Sequence, residues 1–457
     1  MNSAVLSSSA ICWVSNHAVV PFTAALQAIF GHSRQASVRA GQAKAVRSSA
    51  MGKRRICLLG LFGLGNMGND GSLESMLLHL RRIRPDAELC CICVDPIKVS
   101  KDHRIPTIPI SWPGFSNPML KICDRISAGI PGKLANWVRA IRHLRRFDIL
   151  IIPGTSTLCD YRADPLGPPY ALFRWSAAAK LCGTKLYFIS TGAGPISRPL
   201  SRWMLTRVAA WANYRSFRDS VSKRFIASLG IDTRTDAIFP DLAFSLPVPN
   251  MAPPPKPDDH PVTIGLGMMD YKGWQTHSET DIIYSTYLEK MNRFAHWLLS
   301  RGYRVRLLIG ETADERAVID LKTALAESGY RIRTDGLPAP ELCHVITETA
   351  DSLHDIMEQM IDTDIIVASR FHNVVCALKL SKPTISIGYE AKNDDLMEHM
   401  GLGAFCQHIE RFDVDDLIQQ FEALLLGKSL YEGRVRRKLA LMQETLARQE
   451  QVFEEIL

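Results

Sequence analysis

The stretch Leu246-Pro-Val-Pro-Asn-Met-Ala-Pro-Pro-Pro-Lys-Pro-Asp-Asp-His-Pro261 decides how the chain is divided. Proline lacks a backbone N–H and fixes φ, so a run this dense sustains neither a helix nor a central strand. It reads as a semi-rigid linker over 247–261. On either side, apolar runs of strand length alternate with segments of helical period, the pattern of parallel sheets covered by helices. Before the linker, strands are predicted at 56–61, 88–94, 149–152, 185–190 and 214–217, with helices at 72–83, 170–182, 200–212 and 219–228. After it, strands are predicted at 262–268, 304–309, 343–347, 364–368 and 384–388, with helices at 281–300, 313–328, 351–361, 372–380 and 394–400. The expected fold is therefore α/β: two Rossmann-like doubly wound domains, 51–246 and 262–430, facing a cleft. Ligands would lie at the carboxyl ends of the strands. The tail 431–457 reads as an amphipathic C-terminal helix, with Val435, Leu439, Met442, Leu446, Phe453 and Ile456 on one face.

A length of 457 residues exceeds one ordinary core and agrees with two domains. Apolar residues make up 46% and charged residues 22%, a globular balance. No uninterrupted apolar run reaches about 18 residues, the length of a membrane span. The 11 cysteines are scattered. Cys90, Cys91 and Cys93 fall in a predicted strand, whose alternation sends Cys90 and Cys93 to opposite faces, so they read as core residues and not as a metal site. No metal cluster is expected, and a reduced, cytoplasmic protein is.

The first 50 residues hold four Lys or Arg and no Asp or Glu. They read as an unstructured or misassigned extension, the natural start being expected at Met51; a transit peptide fits only loosely. Without them 50 basic residues face 47 acidic ones, and the net charge falls from +7 to +3. Such a balance does not point to nucleic acid. Arg139, Arg142, His143, Arg145 and Arg146 cluster beside Trp137 and Val138. This cluster reads first as a solvated helix face, and second as a weak peripheral contact to an anionic membrane or a lipid-diphosphate acceptor.

Gly63-Leu-Gly-Asn-Met-Gly68 has the G-x-G-x-x-G spacing of a dinucleotide site. Asp95, the acidic residue after the second strand, falls about 30 residues past Gly65 instead of about 20. Nicotinamide or flavin is therefore not expected, although a glycine turn at a helix start suits an anionic or polar ligand. The chemistry concentrates in Asp364-Ile-Ile-Val-Ala-Ser-Arg-Phe-His-Asn, where a buried strand delivers Arg370 and His372 to a helix N-terminus. A guanidinium, an imidazole and a helix start around one point suit a phosphate or carboxylate, and the imidazole can move a proton. The next strand ends at Gly388-Tyr-Glu-Ala-Lys392, which brings Lys392 to the same rim. In the first domain, Arg218 and Asp219 end a short strand, either as a structural ion pair or with Arg218 reaching over the bound anion.

Ser216-Phe-Arg-Asp219 with Ser222, Pro240-Asp-Leu-Ala-Phe244, Ser369-Arg-Phe-His372 and Tyr389-Glu-Ala-Lys392 together resemble the polysaccharide pyruvyl transferase family. Gly65-Asn-Met-Gly68 and Gly192-Ala-Gly-Pro-Ile196 fit the same order, and the resemblance spans about 54–410. It implies a fold similar to the glycosyltransferase B type, with phosphoenolpyruvate as donor substrate, a saccharide acceptor and no cofactor. It further implies that Arg218, Arg370 and His372 hold the donor's phosphate and carboxylate, with Lys392 joining them or assisting proton transfer. Ketal formation needs a proton at the donor methylene, for which His372 is the expected general acid, with Arg218, Arg370 and Lys392 neutralising the leaving phosphate. Asn66, Asp70, Asp160, Gly194 and Asp219 would bind substrate, Asp70 or Asp160 orienting or deprotonating the acceptor hydroxyl. Two departures, the longer Asn66-Met-Gly-Asn-Asp70 and Pro153-Gly-Thr-Ser156 in place of a glycine triplet, fall on the acceptor side. The acceptor sugar, its linkage to lipid and the oligomeric state stay open. The expected location is cytoplasmic, at the inner face of the membrane if the acceptor is lipid-linked. Two other readings share the architecture: a nucleotide-sugar glycosyltransferase, to which Glu390 and Glu398 lend an E-x7-E spacing, and a non-catalytic sugar- or anion-binding protein.

Overall fold

The structure is a computed structural model that describes residues 53–457 apart from 113, 115, 128, 162, 251–260, 274–279 and 335–342. The 1–50 extension and most of the proline-rich linker lie outside the described residues.

The first domain is a parallel sheet of β1 (Arg55–Leu59), β2 (Glu88–Cys93), β3 (Thr107–Pro109), β4 (Ile149–Pro153), β5 (Lys185–Thr191), β6 (Tyr214–Phe217) and β7 (Ala237–Ile238). Their order is β3-β2-β1-β4-β5-β6-β7. Ile56 pairs with Leu89 on one side and Ile149 on the other. Helices cover both faces, so the central strands must be apolar throughout; all five residues of β4 are buried. Cys57 and Cys90 enter the core on one face of the sheet, and Cys91 and Cys93 the core on the other, as strand alternation requires. The helices are α1 (Met67–Ile83), α2 (Pro96–His103), α3 (Pro118–Ile126), α4 (Ile130–Leu144), α5 (Pro168–Cys182), α6 (Pro199–Trp211) and α7 (Ser220–Ser228).

The second domain repeats the plan with β8 (Thr263–Gly267), β9 (Arg304–Leu308), β10 (Ile332–Thr334), β11 (Val345–Thr347), β12 (Ile365–Ala368), β13 (Thr384–Gly388) and β14 (Cys406–His408). The order is β10-β11-β9-β8-β12-β13-β14, again all parallel. Its helices are α8 (Thr280–Ser300), α9 (Glu315–Glu327), α10 (Leu353–Ile361), α11 (Phe371–Lys379), α12 (Ala391–His399), α13 (Val414–Leu426) and α14 (Lys428–Ile456). Strand order reverses at β1/β4 and at β8/β12, and each reversal opens a crevice at the strand carboxyl ends.

Two elements differ from their sequence-based expectation in ways that matter. Helix α1 begins at Met67 and not near 72, because the Asn66 side chain accepts from Asn69 N (3.0 Å) and caps a first turn that contains Gly68 and Gly71. The C-terminal helix is longer and belongs to both domains. Val435, Leu439, Met442 and Leu446 pack on the second core, whereas Phe453 and Leu457 enter the first, beside Leu73 and Leu80. Direct contacts also join the domains. Thr312 N donates to Gly65 O (3.0 Å), Ser220 Oγ to Asp395 Oδ1 (2.9 Å), and Lys379 Nζ to the carbonyls of Phe244 (2.7 Å) and Leu246.

Candidate active site

The loops that follow β1, β4, β6, β9, β12 and β13 enclose a cavity of about 370 Å³ between the domains. Arg218, Arg370, His372 and Lys392 all line it. Each stands one to four residues past a strand end, so the parallel topology, and not sequence proximity, brings them together.

The three cations arrive with carboxylates. Arg370 donates from Nε and Nη2 to Asp314 (2.9 and 2.7 Å), and its Nη1 lies 2.7 Å from Glu311. Asp314 is fully buried and also receives the backbone N–H groups of Asp270 and Glu311 (both 3.0 Å). Burial opposes the charge on Arg370, but Asp314 and Glu311 more than offset it and hold the guanidinium above its ordinary value. One hydrogen on each terminal nitrogen is left for another acceptor. Arg218 donates from Nη1 to Asp241 Oδ2 (3.0 Å) and from Nη2 to Ser156 Oγ, with Asp219 3.6 Å from Nε. Its plane lies 4.8 Å from the Phe371 ring. Lys392 Nζ is 2.8 Å from Glu390 Oε2 and stands 5.2 Å from the Tyr389 ring. Burial opposes its charge too, and Tyr389 and Glu390 restore it. The cavity thus holds its cations in pairs and does not present a bare positive surface.

His372 is the second residue of α11, and its Nε2 is buried 3.9 Å from Asp241 Oδ1 with no hydrogen-bond partner among the described residues. Burial, and then the positive charges of Arg218, Lys392 and Arg370, lower its pKa to about 4 despite the pull of Asp241. The ligand-free cleft therefore favours the neutral ring. A Cβ on Gly68 would overlap this ring, so the glycine of α1 permits the close approach of the two domains. Neither Arg370 nor Glu390 caps its own helix with its side chain, and the first turns of α11 and α12 face the rim.

The remaining sequence-predicted residues divide. Asn66 lines the cavity and its Nδ2 reaches Glu311 Oε2 at 3.4 Å, linking the first domain to the partner of Arg370. Asp160 lines it as well, but its carboxylate accepts from Ser197 N (2.9 Å), Ser197 Oγ (3.2 Å) and Arg198 N (3.0 Å). A carboxylate so occupied anchors the loop that carries it. Gly194 and Asp219 line an adjoining cavity of about 470 Å³ that shares Asp160, Tyr161, Arg218 and Lys392 with the first. Asp219 caps α7 through Ser222 N (2.6 Å), a structural role beside its ion pair. Asp70 lines neither of these two cavities; it accepts from Gly63 N (2.8 Å) and fixes the glycine turn. Glu398 is exposed and also lines neither, which separates it from Glu390 and undoes the E-x7-E pairing.

Sequence reasoning missed Asp241, Glu311, Asp314 and Tyr161. Asp241 was within reach, because it stands in Pro240-Asp241 and meets both Arg218 and the ring of His372. Tyr161 adjoins Asp160, lines both cavities and holds φ at +44°, an uncommon conformation for a large side chain. Glu311 and Asp314 look like surface acids at a helix start until Arg370 is placed on them. Among the described residues no group of His, Cys, Asp and Glu is arranged to hold a metal ion. Cys159 lies in the wall, but burial pushes its thiol up to about 12 and makes it inert.

Two facing Rossmann-like domains with a cleft at their strand ends define a protein of the glycosyltransferase B fold. Solved structures agree. A protein of Listeria monocytogenes described as a UDP-N-acetylglucosamine 2-epimerase superposes with a TM-score of 0.55 at 11% identity, covering 89% of this chain and 98% of its own. A glycosyltransferase from Rickettsia africae gives 0.51 at 12%, covering 88% and 99%. The UDP-GlcNAc 2-epimerase of Neisseria meningitidis gives 0.50 at 11%, covering 86% and 100%. Identities this low show the fold alone. The polysaccharide pyruvyl transferase family model matches residues 66–391, most of the chain, and the chain belongs to that family of transferases. No curated protein matches it.

Proposed function

We propose that this protein transfers a pyruvyl group from phosphoenolpyruvate to two hydroxyls of a saccharide precursor in the cytoplasm, releasing phosphate. The observation that carries the reading is the meeting of Arg218, Arg370, His372 and Lys392 in one interdomain cavity of a member of this family. In the reaction, one proton adds to the donor methylene and converts it to a methyl group. The first sugar hydroxyl adds to C2, the second displaces phosphate from C2, and a cyclic ketal results. The two hydroxyl protons leave, one replacing the proton taken up by carbon and one departing with phosphate.

The donor is highly charged, and Lys392, the remaining guanidinium hydrogens and the two helix N-termini suit its phosphate and carboxylate. The donor's own charge makes His372 a proton donor: a dianion beside the ring favours the imidazolium that the empty cavity disfavours. Lys392, Arg218 and Arg370 then stabilise the departing phosphate. The acceptor lies against the β1 and β4 loops of the first domain. The deciding assay incubates purified protein with phosphoenolpyruvate or nucleotide sugars, with and without glycan acceptors. Acceptor-dependent phosphate release supports the proposal, and nucleotide release would overturn it.

A further inference from the structure

Helices α3 and α4 carry a surface that the cavity chemistry does not use. The inner side of α4 buries Trp137, Ala140 and Leu144. On the outer sides, Met119, Ile122, Ile126, Ile130, Leu134 and Val138 are each at least 57% exposed. Ile130, Leu134 and Val138 recur every four residues and form one stripe along α4. Contiguous aliphatic exposure of this kind marks an interaction site in a water-borne protein.

Its charge identifies the partner. Residues 118–146 contain seven Lys or Arg and a single acid, Asp124, whose Oδ1 already accepts from Gly132 N at 2.6 Å. Leu134, Val138, Arg139, Arg142 and Arg146 line one shallow groove, so apolar and basic side chains share a face and do not segregate. A surface that is both apolar and cationic complements a lipid interface with anionic headgroups: the aliphatics enter the acyl boundary and the basic groups meet phosphates. The same face communicates with the cleft. Trp112 N donates to Asn136 Oδ1 (2.9 Å), the Arg139 guanidinium stands 4.6 Å from the Trp112 ring, and Ile110, two residues earlier, lines the catalytic cavity.

We infer that the α3–α4 face docks this protein on an anionic membrane, with the first-domain wall of its cleft beside the bilayer. Docking stands without the transferase reading; only delivery of a lipid-held acceptor rests on it. The test is co-sedimentation of the full chain with phosphatidylcholine vesicles, with and without phosphatidylglycerol. The wild type is expected to bind only the anionic vesicles and to dissociate as salt rises. Arg142→Glu/Arg146→Glu lowers the partition coefficient at least about tenfold, and Leu134→Ser/Val138→Ser lowers it on the same vesicles. All four positions are exposed and lie outside the cavity, and phosphate release with a water-soluble acceptor is expected to be unchanged in both variants. Failure of the wild type to bind anionic vesicles, or equal binding by both variants, overturns the inference. So does a lipid-free dimer, detected by light scattering, that the same substitutions dissolve.

Discussion

His372 sets the acid–base behaviour of the cleft. With its pKa lowered to about 4 by burial and the neighbouring cations, binding of phosphoenolpyruvate at pH 7 is expected to take up close to one proton. Calorimetry in buffers of different ionisation enthalpy measures that uptake, and His372→Gln should abolish it together with turnover. Uptake unchanged in the variant would remove the imidazole from the mechanism. The same shift has a stability consequence. Below the unfolded value near 6.5 the unfolded chain binds a proton that the native ring refuses, so stability falls as pH drops from about 6.5 toward 4, by at most about 3 kcal/mol. Denaturant titrations of wild type and His372→Gln should differ by a constant amount above about pH 6.5, and the wild type should lose stability relative to the variant as pH falls from there toward 4. Asp314 is the other decisive residue. Asp314→Ala leaves Arg370 buried with only Glu311 and should cost about 3–5 kcal/mol in chemical denaturation.

At the scale of elements, the glycine at the second position of α1 carries the tightest requirement. Gly68→Ala inserts a methyl group where the His372 ring lies, and the ring must turn or the domains must part. Activity should fall at least about a hundredfold while far-UV circular dichroism is kept, consistent with the sensitivity of catalysis to small displacements. Strands such as β4 and β12 were legible because each is a continuous apolar run, and the more polar β6 and β13, bounded by turn signals, were also placed to the residue. Strands β3, β7, β10 and β14 were not, because two or three residues such as Ile332–Thr334 carry too little period to separate from a loop. The four cavity residues were legible from strand ends and family motifs. Their pairing with carboxylates was not, even for Asp241 in its quoted motif, because Asp314 reaches Arg370 across 56 residues and Asp241 reaches Arg218 across 23. Pairing at that distance is a property of the fold and leaves no local trace.

The whole molecule is held as one unit by α14. Phe453 is 2% exposed and sits in the core of the first domain although its helix starts on the second. Phe453→Ala should cost about 3 kcal/mol and, in hydrogen exchange, loosen α1 more than α11. Activity should fall further than the stability of either domain, because Arg218 and His372 belong to different halves of the cleft. This architecture also constrains how the protein is made. The first domain emerges from the ribosome long before the residues that seal the floor between Leu73 and Leu80, so during synthesis it must wait, partly open, for a segment translated several hundred residues later. A nascent chain stalled before α14 should therefore be captured by holding chaperones, even though both sheets have already been assembled.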